Sequence, residues 1–331
     1  MANLKTSIII TSISAPNAVM KSIALESKKQ NIDFIVIGDV KTPPDFKLDG
    51  CRYYSIDEQE QLNFSLAKSL PKKHYSRKNI GYLLAKNNDV IIETDDDNFP
   101  RAEFWNPRNR NVMASIVNGK GWINVYKYFS KDSIWPRGFP LESVLSPLPF
   151  PEKNNQNILC PIQQGLADEN PDVDAIYRMT QKLPVSFDKR NPVAIGENSW
   201  CPFNSQNTTW FKDAFPLLYL PSFCSFRMTD IWRSFIAQRI AWTCGWSILF
   251  HNSNVWQERN EHSLLKDFEE EIPGYLNNAK ICQLLEELNL QNGIENIGAN
   301  LLSCYSMMTK NNFVGLNEMK LVQAWIKDIE G

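Results

Sequence analysis

The chain has 331 residues, 43% of them hydrophobic and 22% charged, with 35 lysines and arginines against 37 aspartates and glutamates. A net charge of −2 gives no general drive toward nucleic acid or an anionic membrane, and the apolar content is that of a globular core. Seven cysteines stand singly without a CxxC pair, which predicts reduced thiols in a cytoplasmic protein rather than a disulfide framework.

In chain order, the first hundred residues alternate between two periodicities. "TSIIITSI" reads as a strand, too short in its apolar run for a secretory signal. "APNAVMKSIALESKKQ" reads as a helix that starts after Ser14 with Pro16 in its first turn. "DFIVIGDV" and "CRYYSID" give two more strands, "EQEQLNFSLAKSL" and "YSRKNIGYLLAKN" give helices, and "DVIIETD" a fourth strand. Such alternation predicts βαβ units, a parallel sheet and a ligand crevice at the carboxyl ends of its strands. Neither GxGxxG nor GxxxxGK[ST] occurs, which disfavours a dinucleotide dehydrogenase or a P-loop kinase.

The fourth strand runs straight into "TDDDN", placing Asp95, Asp96 and Asp97 side by side. Val90, Ile91 and Ile92 before them form the β-branched run of a strand buried on both faces. Three desolvated carboxylates repel one another, and a divalent cation would turn that repulsion into coordination. A solvated loop tip is the bland alternative.

From Phe99 to Pro161 prolines and aromatics are dense and helical periodicity is lost, so loops and irregular strands are expected, with residues 151 to 157 an exposed loop. "PIQQGLADENPDVDAIYRMT" reads as a turn leading into a helix, and Asp172 or Asp174 could simply cap that helix. "WCPFNSQNTTWF" sets amides between aromatics, which suits sugar hydroxyls or a polar turn alike. In "SFRMTDIWRSFIAQRIAW", Asp230 stands before a periodic helix, as a plain N-cap or as a carboxylate aimed into a cleft. Arg233, Gln238 and Arg239 interrupt the apolar window from Ile231 to Phe250, so it reads as a buried helix followed by a strand, not a membrane span. Residues 264 to 329 are helical and amphipathic, an appendage for the core or for a second subunit.

Taken together, "TDDDN", "RGFPL", "QQGLADENPDVDAIYRMT", "PFNSQNT" and "RMTDIWRSFIAQRIAW" resemble the STELLO family of glycosyltransferase-like proteins. More distantly they resemble the reversibly glycosylated polypeptides, which are UDP-arabinopyranose mutases. The resemblance runs from about residue 77 to 262 and leaves the C-terminal helices outside. It implies a GT-A, Rossmann-like α/β fold with a mostly parallel sheet and a DxD metal site. Residues 1–262 would form the glycosyltransferase domain, 1–100 binding the nucleotide sugar and 101–262 forming an acceptor subdomain, followed by a helical segment over 263–331.

The resemblance also implies roles. The donor would be a nucleotide sugar, such as a UDP-sugar, and the acceptor a glycan or other hydroxyl. Mn²⁺ or Mg²⁺ would sit on Asp97 and Asp95, with a third ligand from His251 or His262, although the mutases' position falls nearer Gln257. Asp95 and Asp96 would face ribose or sugar hydroxyls, Thr11, Ser12 and Asp39 the base and ribose, and Arg77, Lys78 and Asn79 the uracil or diphosphate. Arg137, Gln163, Gln164, Asn204 and Gln206 are the acceptor-binding candidates. An inverting reaction needs a general base, for which Asp230 is the first candidate and Asp172 or Asp174 the reserve. Arg137 in "WPRGFP" keeps a self-glycosylating mutase open, and a non-catalytic assembly partner is the third reading. No nucleic acid or transmembrane segment is expected, which leaves room for a peripheral membrane contact and a homodimer.

Overall fold

β-branched runs build one edge of the sheet, and a computed structural model, describing residues 4–152, 155–259 and 263–331, shows how the chain continues from it. The first third forms β1 (Thr6–Ser12), α1 (Ala18–Gln30), β2 (Asp33–Gly38), β3 (Arg52–Tyr54), α2 (Ile56–Gln61), α3 (Lys78–Leu84) and β4 (Val90–Thr94). β2 and β4 flank β1 in parallel register, with β3 parallel on the far side of β2. Ile8, Ile9, Ile10, Ile35, Val36 and Ile91 are wholly buried, as expected of strands covered on both faces.

The middle of the chain adds β5 (Asn98–Pro100), β6 (Asn111–Val117), β7 (Gly121–Trp122), β8 (Gln156–Leu159), β9 (Ile162–Asp168), α4 (Ala175–Thr180), β10 (Val193–Ile195), β11 (Ser199–Trp200) and β12 (Asn207–Phe211). Then come α5 (Thr229–Thr243), β13 (Ile248–Gln257), α6 (Leu264–Glu287), α7 (Ile297–Lys310) and α8 (Glu318–Glu330). The sheet runs β3-β2-β1-β4-β12-β9-β13-β10-β6-β8, with β5 on β13. β12 is antiparallel to both β4 and β9, while β13 is parallel to β9. The α/β class is as expected. Its parallel character is concentrated where the sequence alternates, and the later strands are mixed.

Four local expectations are corrected. α1 starts at Ala18, because the Asn17 side chain caps it by accepting the Met20 amide at 3.0 Å, leaving Pro16 outside the helix. The helix expected over 58 to 70 shrinks to α2, held by a Ser55–Glu58 capping box and followed by turns. Residues 162 to 168 are a buried strand, not a turn. Residues 156 and 157 belong to β8, so the loop expected over 151 to 157 ends earlier.

The C-terminal helices share the main core. Leu285, Leu301, Met308, Val322 and Trp325 pack in the same cluster as Trp232, Phe235 and Tyr219. The Asp328 carboxylate accepts the Leu66 amide at 2.7 Å, and Glu318 accepts the amides of Ser222 and Phe223. All seven cysteines are unpaired. Among the described residues, no helix is long and apolar enough to cross a membrane.

Candidate active-site cleft

At the carboxyl ends of β1, β2 and β4 the sheet edge opens into a cleft of about 580 Å³. Thr11, Ser12 and Asp39 line one end, Asp95, Asp96 and Asp97 the middle, and Arg137, Asp172 and Asp230 the other side. The placement follows from the fold, since a parallel sheet delivers its strand ends to one edge.

The three aspartates are held in three directions. Asp95 accepts from the buried Lys78 ammonium at 3.0 Å and from the Tyr75 hydroxyl at 3.0 Å. Asp96 accepts from the Ser12 hydroxyl at 2.5 Å, tying β1 to the triplet. Asp97 accepts from the Gln257 amide at 3.0 Å through Oδ2, while its Oδ1 is buried without a partner. Burial, and then the neighbouring Asp95, push the Asp97 carboxyl up to about 7. Burial likewise raises Asp96.

Across the cleft the acids are satisfied. Arg137 forks onto Asp172 at 2.8 and 2.9 Å and onto Asp230 at 3.0 and 2.9 Å, and also donates to the Arg227 carbonyl. Burial alone would raise the Asp230 carboxyl. The Arg137 guanidinium outweighs it and holds the group well below the usual carboxylate range. The Ser205 amide and hydroxyl add donors at 3.2 Å. Gly138, at φ 84°, lets this loop lie against α5, since a Cβ there would run into Ile231.

A hydrogen-bonded chain joins the two sides, from Asp230 to Ser205, from Ser205 to Tyr75 at 2.6 Å, and from Tyr75 to Asp95. Beneath it, sealed from solvent, Glu93 of β4 takes both Arg233 nitrogens at 2.8 Å, the Trp210 indole at 2.8 Å and the Tyr82 hydroxyl. That cluster locks the tip of β4 to α5.

A family model described as STELLO glycosyltransferases matches residues 227–331. Over 89% of its length the chain is 27% identical to probable glycosyltransferase STELLO2 of Arabidopsis thaliana, and over 99% it is 26% identical to STELLO1 of the same plant. The chain is similar to STELLO-type proteins along nearly its whole length. It spans 41% and 45% of the two relatives, less than half of each. The family match falls on α5, β13 and the C-terminal helices, so the segment set outside the resemblance lies within it. Among solved structures, the fold is similar to a mycobacterial protein at a TM-score of 0.45, with 10% identity over 84% of this chain and 76% of that one.

Several residues of the cleft stand where the sequence reading did not put them. Asp230 is not an N-cap, since α5 begins at Thr229 and Asp230 lies inside its first turn. As a general base it is poorly suited, because its oxygens are engaged by a guanidinium and its proton affinity is depressed. Asp172 is bound by the same guanidinium. Asp174 caps α4 by accepting the Tyr177 amide and also accepts from the Trp135 indole, wholly buried and outside the cleft lining. Arg137 has no nitrogen left over for self-glycosylation.

His251 is also misplaced as a metal ligand. It lies outside the cleft lining, and burial together with nearby Arg108 brings it down to about 4. Gln257 touches Asp97 instead, and His262 lies outside the described residues. Asn79 bonds the Leu220 backbone at 2.8 and 2.9 Å and takes no part in the cleft. Arg77 borders the cleft but donates to Gln59 and the Leu70 carbonyl. Asp39 borders it too, with its oxygens on the amides of Val40, Lys73 and His74.

Of the acceptor candidates, Gln206 and Arg137 line the cleft. Gln163 and Gln164 spend their amides on backbone carbonyls around β9, and Asn204 accepts the Gln206 amide in a tight turn. Tyr75, Glu93 and the cleft arginines Arg178, Arg227 and Arg259 were not singled out. One signal was present for Glu93, a lone charge inside "VIIET" where every neighbour is apolar or β-branched.

Among the described residues no three His, Cys, Asp or Glu side chains converge on a metal-sized point. The donor set nonetheless fits a single hard cation shared with a bound ligand. Asp97 offers a partnerless carboxylate oxygen suited to Mg²⁺ or Mn²⁺, and the neighbouring Gln257 donates its amide N–H to the other Asp97 oxygen, so it would have to turn its amide over to add an oxygen ligand.

Proposed function

We propose that this chain is a metal-dependent glycosyltransferase that binds a nucleotide sugar, such as a UDP-sugar, in the cleft and transfers the sugar to a hydroxyl acceptor. The observation that carries the reading is Asp97: a buried carboxylate oxygen without a partner, at the cleft end of a strand, beside two like charges. Left alone, that arrangement is costly, and a cation with an anionic ligand removes the cost. The relatives' designation as probable glycosyltransferases supports the same reading.

Asp97 would hold the cation, joined by the Gln257 amide oxygen once that amide turns over, and the cation supplies Lewis-acid neutralisation of a diphosphate leaving group. The protein's own residues do the rest. Thr11 and Ser12 face the nucleoside end, and Lys41 and Lys73 line that end with positive charge for the phosphates. Lys78 holds Asp95 in place and cannot reach solvent, so its role is to fix the triplet. The Arg137 hub fixes the opposite wall, with Asp172 and Asp230 as its anchors. The localisation we propose is the cytoplasm, on the unpaired state of all seven cysteines.

Calorimetry of UDP binding with and without Mn²⁺ tests the proposal. Binding should depend on the cation and be lost in Asp97→Asn. Equal affinity with and without Mn²⁺ in the native protein would sink the metal assignment.

A further inference from the structure

The cleft carries positive charge that the proposed function leaves unassigned. Arg178 of α4, Arg227 just before α5 and Arg259 just after β13 all line it. Two of them are held from behind. Arg227 donates to Glu271 at 3.0 and 2.8 Å, and Arg259 donates to Asp267, both carboxylates being buried on α6. Arg178 differs. It donates to the Pro171 carbonyl at 2.9 Å and weakly to Asn170, its Nε is buried without a partner, and among the described residues it makes no ion pair. Burial first, then the Arg259 guanidinium, outweigh the Asp172 carboxylate and, with Arg227 adding to them, bring it down to about 9. Like charges so arranged call for an anion.

Their place along the sheet edge says which anion. The nucleoside end lies over β1 and β2 and the triplet follows β4, whereas α4 and Arg259 follow β9 and β13. A group held there stands beyond the leaving group, on the side from which an acceptor approaches. We propose that Arg178, Arg227 and Arg259 form a seat for a phosphate-class anion carried by the acceptor, so that the acceptor is a phosphorylated hydroxyl compound. This rests on the nucleotide-sugar reading above. Guanidiniums present forked N–H pairs that match phosphate oxygens, and the Arg178 Nε–H is a donor that nothing else takes.

The test titrates inorganic phosphate into the full chain by calorimetry, first alone and then saturated with UDP and Mg²⁺. Phosphate should bind in both states. Arg178→Gln, which leaves no buried carboxylate unpaired, should bind it at least about tenfold more weakly while still melting cooperatively. Three results would overturn the seat. One is no phosphate binding by the native chain, and another is undiminished binding by Arg178→Gln. The third is mutual exclusion of phosphate and UDP, which would assign these arginines to the donor's diphosphate. Phosphate binding without UDP reads the seat by itself, so phosphate binding with no UDP binding would count against the nucleotide reading alone.

Discussion

The cleft holds two acidic groupings that differ in what stands between the acids. Asp172 and Asp230 share one guanidinium, nearly every polar atom is matched, and Asp230 is held ionised. Asp95, Asp96 and Asp97 share one buried lysine, which reaches Asp95, and the other two are pushed toward their neutral forms. The lesson concerns how to read clustered carboxylates. A cluster that is complete in the free protein supports structure, and a cluster that is short of cations is ready to receive one.

Removing the bridging guanidinium should break the contrast most severely. Arg137→Met leaves two largely buried carboxylates without the cation they share and should cost about 3–5 kcal/mol of stability, read from chemical denaturation. A loss under about 1 kcal/mol would show that the hub is more solvated than its geometry says.

Next comes the incomplete cluster. Asp97→Asn should weaken Mn²⁺-dependent UDP binding by about a hundredfold or more while leaving the fold intact, as calorimetry and melting would show. The same variant sharpens the comparison through pH. The Asp97 pKa is raised from 3.8 to about 7 on folding, so its contribution to stability is complete below about pH 4 and is lost as pH rises through about 7. Metal-free Asp97→Asn should therefore gain melting temperature over the native protein between about pH 5 and pH 8. Asp230 has the opposite sign, its stabilisation present above the ordinary carboxylate range and lost in acid below it. A pH-independent difference between the variant and the native protein would overturn the burial argument for Asp97.

Asp230→Asn should be milder. It keeps an acceptor for Ser205 but loses charge against Arg137, costing about 1–3 kcal/mol. Turnover should follow the folded fraction. A fall of about 10²–10⁴-fold in a fully folded variant would restore Asp230 as the base. The smallest effect belongs to His251→Gln, which should leave Mn²⁺-dependent UDP affinity within about twofold, because His251 lies away from the cleft. A larger loss would return that residue to the metal.

The first hundred residues were legible in the sequence because their signals are local. A β-branched run names a strand whatever lies around it, and the run before Asp95 points its carboxylates to the sheet edge. The rest depends on pairings across long separations. Arg137 meets Asp230 across 93 residues and Glu93 meets Arg233 across 140, and no window of sequence contains either pair. The same distance explains why Gln163 and Gln164 read as acceptor-binding candidates. Their amides are satisfied by carbonyls that arrive only when β9 is packed.

The attachment of the last helix has a practical meaning for how this chain can be divided. Similarity draws a unit from 227 to 331, but α8 holds the amide of Leu66 through Asp328, and Lys86 donates to the Asp328 carbonyl. Trp325 lies in the same core as Trp210 of the central sheet. The stretch that the family model matches is therefore a set of staves in a cask whose other staves come from the first hundred residues. Expressed by itself, it would present one wall of a core with nothing to close on. The bounds of that match are not the bounds of a folding unit.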